Sequence, residues 1–271
     1  MQIGICGCGW LGQPLAKHLN KRGHNIVATR RLHADLSPLQ ALGYTALNYA
    51  LGDPLDNASL QPLFSCEVLV LNIPPGRKTM AAEVFVKHMT ALLAHASNSG
   101  IKHLIFISTT SVYGQQSAVV TEQTQVQPNT PSGSAHVFIE ESLFEHFKQR
   151  GTVLRLAGLV DRNRHPAKSL SGKTALKNGG QGVNLIHQQD VIKAISKIIE
   201  ENVWGETLHL AATDHPSREQ YYVWAATKLG LPVPQFLAEN PSASGKLIDG
   251  RWSLQKLGLS LDYASPFDML D

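Results

Sequence analysis

The sequence has few cysteines, a modest share of charged residues and no long apolar run. Its 271 residues include three cysteines, and 17% of them are charged. The cysteines are Cys6, Cys8 and Cys66, an odd and sparse set of the kind that a reducing compartment permits. No apolar stretch reaches the roughly 20 residues that span a bilayer. We therefore expect a protein without a membrane partner.

Three further features are missing. The formal net charge is only +3, and no run of Lys and Arg exceeds a pair, which argues against nucleic acid as a partner. Cys6-x-Cys8 has the spacing of half a metal site, but no second Cys or His pair completes it, so we expect no metal. The chain opens on a strand-like segment, 1–6, without the basic segment and cleavage site of a signal peptide. The expected location is the cytoplasm.

Short apolar runs alternate with helical patterns along most of the chain, and most lack the polar alternation of a half-exposed sheet. The strand-like runs are 3–6, 26–29, 44–47, 68–73, 103–108, 153–156, 183–186 and 207–211. Strands buried on both faces and separated by helices are typical of a parallel, doubly wound sheet. We predict a Rossmann-type α/β fold. Its dinucleotide-binding domain is 1–160 with the sheet completed by 182–212, and a small C-terminal substrate lobe is made from 161–181 and 213–271.

Two helices have clear sequence signals. Val84, His88, Ala91, Leu92 and His95 belong to an amphipathic pattern that ends near residue 100 and predicts a long helix. A later helix is predicted from 217 to 229, with Ser217 as its N-cap.

A glycine-rich loop joins the first strand to the first helix. In Gly7-x-Gly9-x-x-Gly12, Gly7 permits a tight turn, Gly9 lets the backbone approach a pyrophosphate, and Gly12 lets the helix pack on the strand. The N–H groups of Trp10 and Leu11, at the positive end of the helix dipole, would bind the phosphates. The alternative is a glycine turn that only closes the strand–helix unit.

The end of the second strand bears on the choice of cofactor. It reads Thr29-Arg30-Arg31, without the Asp or Glu that contacts the adenosine ribose in NAD-selective domains. Two guanidinium groups suit a 2′-phosphate. The predicted cofactor is therefore NADP(H), with NAD(H) as the second choice. The alternative is that both arginines are ordinary surface residues.

Longer motifs extend over the rest of the chain. Phe106-Ile107-Ser108-Thr109-Thr110-Ser111-Val112-Tyr113-Gly114 and the segments 154–160 and 184–191 resemble, in order, signatures of the extended short-chain dehydrogenase/reductase family of nucleotide-sugar epimerases and dehydratases. The resemblance implies that Thr109 is the catalytic Ser/Thr. The glycine spacing, with the Asn72-Ile73-Pro74-Pro75 segment, is similar to an atypical bacterial branch of predicted epimerases. By that resemblance, Asn72, Ile73 and Pro74 lie along the cofactor.

The family's Tyr-x-x-x-Lys pair is missing from this chain. By the same resemblance Ser132 stands in the place of the tyrosine and His136 in the place of the lysine. A serine hydroxyl without a neighbouring cation is a poor acid or base, whereas a histidine titrates near pH 6.5 and could exchange the proton itself. The alternative is that Ser132 caps the helix and His136 is a partly buried structural residue.

Two functions are compatible with these residues. The first is an NAD(P)-dependent oxidoreductase or epimerase acting on a small hydroxylated substrate, for which a nucleotide sugar is a candidate. The second is a dinucleotide-binding protein without redox turnover, such as a sensor of cofactor state. The sequence names neither the substrate nor the oligomeric state.

Overall fold

A computed structural model describes residues 1–75, 81–116, 118–238 and 245–270 of the chain. The strands are β1 (Gln2–Cys6), β2 (Asn25–Arg30), β3 (Thr45–Asn48), β4 (Val68–Leu71), β5 (His103–Thr109), β6 (Val119–Val120), β7 (Gly151–Leu156), β8 (Gly158–Val160), β9 (Leu185–His187), β10 (Thr207–Leu210) and β11 (Leu247–Ile248).

Helices precede or follow most of these strands. They are α1 (Gly12–Lys21), α2 (Ser37–Gln40), α3 (Gln61–Phe64), α4 (Ala82–Asn98), α5 (Pro131–Phe147), α6 (Ala167–Leu170), α7 (Gln188–Glu200), α8 (Arg218–Lys228) and α9 (Arg251–Lys256). Short 3₁₀ turns occupy His33–Asp35, Ala58–Leu60, Thr110–Tyr113, Lys148–Arg150 and Pro266–Asp268. The helix predicted from the Ser217 cap is α8, and the Ser217 side chain accepts from the backbone N–H of Gln220 as predicted.

The central sheet has seven strands in the order β10-β7-β5-β4-β1-β2-β3, and every neighbouring pair is parallel. The predicted doubly wound α/β fold is confirmed. The segment 182–212 contributes β10 to this sheet, but β9 pairs with β8 in a separate two-stranded sheet. An apolar run only three residues long does not reveal which strand it will pair with, so the sequence assigned β9 to the wrong sheet.

The two faces of the sheet bury separate apolar clusters. Helices α1 and α7 cover one face with Leu15, Leu19, Val191 and Ile195. Helices α4 and α5 cover the other face. A third cluster, which includes Tyr221 and Met269, draws its residues from β8 onward. Apolar burial on both faces is what fixes the sheet between its helices.

The buried face of α4 differs from the one predicted. Its fully buried residues are Phe85, Met89, Leu92, Leu93 and Ala96, whereas the side chain of Val84 is 42% exposed. The pattern starting at Val84 was therefore one residue out of phase, because apolar residues lie on both sides of this helix. Within the described ranges no helix is long and apolar enough to cross a membrane.

Candidate functional site

Three predicted segments meet at the carboxyl edge of neighbouring strands. The glycine loop follows β1, Asn72 follows β4, and Thr109 ends β5; these strands are adjacent and in register, with Cys6 opposite Leu71. The chain leaves β1 toward β2 on one side and later returns to β4 on the other. This edge is the switch point at which open α/β sheets bind ligands.

The three loop glycines have different surroundings. Gly7 has φ of +94°, and a Cβ there would lie 2.3 Å from the carbonyl oxygen of Asn72. A Cβ on Gly12 would lie 2.7 Å from the carbonyl oxygen of Gly7. Gly9 has no such contact, since its Cβ would meet nothing within 4 Å. Packing within the protein therefore explains Gly7 and Gly12, whereas Gly9 borders open space that a ligand could enter.

Thr29 and Asn72 hold the loop in place. The N–H of Gly7 donates to Thr29 Oγ1 at 3.0 Å, and Asn72 Nδ2 donates to the Gly7 carbonyl at 3.0 Å. Within the described residues, no group accepts from the backbone N–H groups of Trp10 and Leu11. Thr29 is 1% exposed, so it supports the loop from beneath and acts on a ligand only through it.

Arg30 and Arg31 have different surroundings. The guanidinium of Arg30 lies close enough to Cys8 to oppose the effect of burial, which raises the pKa of that thiol to about 11. Arg30 Nε is buried and has no hydrogen-bond partner among the described residues. Arg31 is exposed, and its carbonyl accepts from Asn48 Nδ2 at 3.0 Å. Arg30 is thus the arginine directed at the glycine loop.

Thr109 lies half-buried at the end of β5. Its Oγ1 accepts from the backbone N–H of Ser111 at 3.1 Å and lies 3.0 Å from Ser111 Oγ. When Ser111 donates both of these bonds, the hydroxyl hydrogen of Thr109 is left to donate elsewhere.

Ser132 and His136 lie on the first turns of α5. The N-cap of this helix is Thr130, whose Oγ1 accepts from the N–H of Gly133 at 3.1 Å. The alternative in which Ser132 is the cap is therefore wrong, and Ser132 lies exposed within the first turn. The cap was misplaced because Thr130 precedes Pro131, which occupies the first helical position.

His136 is buried, with 5% of its surface exposed. Its Nδ1 lies 2.7 Å from the Ser132 carbonyl oxygen, so this nitrogen carries the proton and donates. Its ring packs between Phe85 and Phe106, with centroids 6.0 and 5.8 Å away. Burial lowers the pKa of His136, and no group in the described ranges bonds its Nε2. A neutral ring with Nε2 as an acceptor follows.

Comparison with known proteins decides the family. The family described as NAD dependent epimerase/dehydratase matches residues 4–211. The chain belongs to that family. Protein YeeZ of Escherichia coli K12 is 34% identical over 270 residues, which cover 99% of this chain and 98% of YeeZ.

Two solved structures share the fold of this family member. The UDP-glucuronic acid 4-epimerase of Bacillus cereus in complex with NAD is 18% identical, with a TM-score of 0.82 over 100% of this chain and 96% of that chain. A conserved protein of unknown function from Silicibacter pomeroyi is 22% identical, with a TM-score of 0.76 over 99% of this chain and 96% of that one. Membership of an NAD-dependent family supports a nicotinamide dinucleotide as the cofactor.

A buried polar network next to Thr109 and His136 was not predicted from the sequence. The carboxylate of Glu140 accepts from Ser108 Oγ at 2.5 Å and from Arg155 Nη2 at 2.6 Å. Arg155 Nη1 donates to Tyr113 Oη at 2.5 Å, and that phenol lies 2.6 Å from His209 Nε2. Glu140 is four residues beyond His136, so helical spacing on α5 was the signal that could have found it.

Lys246 is a second residue that the sequence did not single out. Its Nζ donates to the carbonyl oxygens of Thr110 and Gly114, both at 2.8 Å, and burial lowers its pKa. The ammonium thus clamps the turn that follows Thr109. The described part of the chain contains no group of three or more His, Cys, Asp or Glu side chains arranged to hold a metal ion.

Proposed function

We propose that this chain is an NADP(H)-dependent oxidoreductase or epimerase acting on a small hydroxylated substrate. The glycine loop carries the proposal, because the N–H groups of Trp10 and Leu11 have no acceptor in the described part of the chain and Gly9 borders open space. Pyrophosphate oxygens are the acceptors that such N–H groups bind. A bound nicotinamide supplies the hydride acceptor or donor.

The preference for NADP(H) rests on Arg30. Its side chain is half-buried near Cys8 of the glycine loop and makes no hydrogen bond to any of the described residues. A 2′-phosphate at the end of β2 would accept charge-assisted bonds from the terminal Nη groups of this guanidinium. Arg31, exposed on the same strand end, adds attraction at longer range.

Thr109 and His136 are the residues we propose for the chemistry. The Thr109 hydroxyl, with Ser111 donating to it, would donate to the substrate oxygen and stabilise charge that develops there. His136 Nε2, an acceptor because Nδ1 donates to Ser132, would take the proton. A lowered pKa makes His136 a base rather than an acid at neutral pH. Ser132 would not act as the missing phenol.

Nucleotide sugars are the substrate class we propose to test first. The chain shares its fold with the Bacillus cereus UDP-glucuronic acid 4-epimerase, at 18% identity. This likeness makes nucleotide sugars the first compounds to screen.

The burial of His136 favours a second candidate function, dinucleotide binding without turnover. Its ring is held between two phenylalanines, and the exposed Ser132 has no cation beside it among the described residues. A protein of this kind would report the redox state of the cofactor.

Thermal unfolding with each of the four nicotinamide dinucleotides tests the binding on which both candidates depend. A ligand bound only by the native state raises the midpoint, and Gly9→Val should abolish the shift while leaving the ligand-free midpoint unchanged, since its Cβ meets no protein atom within 4 Å. Gly9→Ala, with a smaller side chain, should retain part of the shift. No shift of the unmodified protein at millimolar dinucleotide would overturn the proposal.

Hydride transfer then separates the two candidates. NAD or NADP is incubated with nucleotide sugars and other hydroxylated compounds deuterated at the carbinol carbon, and deuterium is sought in the reduced dinucleotide by mass spectrometry. An epimerase returns the hydride to the substrate carbon, so formation of the epimer is measured as well. Deuterium transfer or epimer formation supports the enzyme, and binding without either supports the sensor.

A further inference from the structure

The side chain of Trp10 is held by residues from much later in the chain. Its Nε1 donates to Asp161 Oδ2 at 2.8 Å, and its carbonyl oxygen accepts from Gln188 Nε2 at 3.0 Å. Asp161 follows β8 and Gln188 is the first residue of α7. The glycine loop is therefore joined to two elements outside its own strand–helix unit.

The carboxylate of Asp161 is occupied by N–H groups. Its Oδ1 accepts from the backbone N–H of Asn163 at 2.8 Å and of Arg164 at 2.6 Å, while Oδ2 accepts from the Trp10 indole. The backbone N–H of Asp161 in turn donates to the Arg164 carbonyl at 3.3 Å. The turn 161–164 is closed by these bonds and places Arg164 beside Trp10.

The guanidinium of Arg164 lies 4.7 Å from the centre of the Trp10 ring. The side chain is exposed, and no carboxylate of the described residues pairs with it. Stacking on an aromatic face uses the π-face of a guanidinium and leaves its N–H donors available. A guanidinium without an ion-pair partner among the described residues thus lies over Trp10, whose backbone N–H has no acceptor among them either.

We propose that Arg164 is a ligand of the dinucleotide's diphosphate. This inference rests on the proposed dinucleotide binding and adds to it a side chain from outside the glycine loop. The N–H groups of Trp10 and Leu11 present one set of donors, and the planar fork of Arg164 presents a second set to the same anion. Asp161 is the positioning residue, because it holds both the indole and the turn that carries Arg164.

A consequence is that binding of the cofactor and binding of the substrate are coupled through the segment after β8. The segment after β8 enters the predicted substrate lobe, so a diphosphate bound by Arg164 would favour the arrangement of that segment seen here. By thermodynamic reciprocity, a substrate that favours the same arrangement would tighten dinucleotide binding.

Calorimetric titration with ADP-ribose and with NADP tests the assignment. Arg164→Gln should weaken binding of both by roughly tenfold or more, since a charge-assisted phosphate contact is lost, and it should flatten the salt dependence of the affinity. Arg164→Lys keeps the charge without the fork and should fall between. Arg162→Gln is the matched control, because Arg162 is exposed two residues away and carries the same charge; its affinity should stay within about twofold of the parent.

The outcomes are distinct. If the unmodified protein binds neither ADP-ribose nor NADP, the proposed function fails and this inference fails with it. If it binds both and Arg164→Gln binds them equally well, the proposed function stands and Arg164 only covers the Trp10 ring. Equal weakening by Arg164→Gln and Arg162→Gln would also overturn the inference, because the effect would then be one of overall charge. Unchanged thermal unfolding of the ligand-free variants excludes loss of the fold as the cause.

Discussion

Arg30 and Arg31 show how two identical neighbours on one strand can differ in what they contact. The guanidinium of Arg30 lies near Cys8 of the glycine loop, and its Nε is buried with no partner in the described ranges, whereas Arg31 lies in solvent. A charge pair partly shielded from water is stronger than one in solvent, and Arg30 is half-buried whereas Arg31 is exposed. The two residues should therefore contribute unequally to the selection of a cofactor.

We expect Arg30→Gln to weaken NADP(H) binding by roughly tenfold or more and to leave NAD(H) binding nearly unchanged, because only NADP(H) carries the 2′-phosphate. Arg31→Gln is the matched control and should have the smaller effect. Dissociation constants measured by calorimetry check this. Equal affinity of the unmodified protein for the two cofactors would contradict the proposed preference.

His136 also carries a prediction of its own. Its carbon-bound ring protons should titrate below pH 6.5 in an NMR experiment, because burial disfavours the imidazolium. If the ring is the base, the rate should be level through neutral pH and fall in acid as His136 becomes protonated. His136→Ala should lower the rate by about a hundredfold or more with cofactor affinity retained. An active parent whose rate is unaffected by this substitution would show that the proton belongs to another group.

At the scale of elements, the Glu140–Arg155 ion pair joins α5 to β7 beneath the site. The two side chains are 5% and 10% exposed, and Tyr113 extends the contact to His209 on β10. Removing one partner of a buried pair leaves the other charge uncompensated.

We expect Arg155→Met to lower the free energy of unfolding by about 3–5 kcal/mol. Adding Glu140→Gln should cost less than the sum of the two single changes, since the second removes the stranded charge. Urea unfolding measures both. Lys102→Met, which breaks the exposed Glu67–Lys102 pair, is the control and should change little. A loss for Arg155→Met no larger than for the control would contradict a structural role of the pair.

For the whole molecule, buried histidines should govern stability in mild acid. Burial lowers the pKa of both His165 and His209 to about 4. Both rings are neutral partners of tyrosine hydroxyls, Tyr221 and Tyr113. Because the unfolded chain takes up these protons near pH 6.5 and the folded chain does not, stability is complete above pH 6.5 and falls as the pH drops toward 4.

The expected loss is roughly 2–3 kcal/mol per histidine between pH 7 and 4, seen as a lower midpoint in urea. His165→Gln should reduce the slope of stability against pH by up to one proton. His33→Gln changes an exposed histidine and should leave the slope unaltered. A stability that does not decline between pH 7 and 4.5 would show that these rings are protonated in the folded protein.

The predictions from the sequence that are confirmed depended on residues close together in the chain. The glycine loop, the strand–helix alternation and the Ser217 cap were predicted from neighbouring residues, and the fold and cap are confirmed. The buried face of α4 and the pairing of β9 were not predicted correctly, because several faces and several strands satisfied the same apolar pattern. The roles assigned to Thr109, His136 and the loop residues stay predictions, as do the domain boundaries.

The sequence by itself determined that this chain forms a parallel α/β sheet with a dinucleotide-type glycine loop, because turns, caps and apolar periodicity act over a few residues. Only the tertiary structure decided which groups meet. Trp10 and Asp161 are 151 positions apart, and His136 is enclosed by rings from α4 and β5. Contacts of this kind depend on how whole elements pack, since burial and charge at each position are set by neighbours that are distant in the chain.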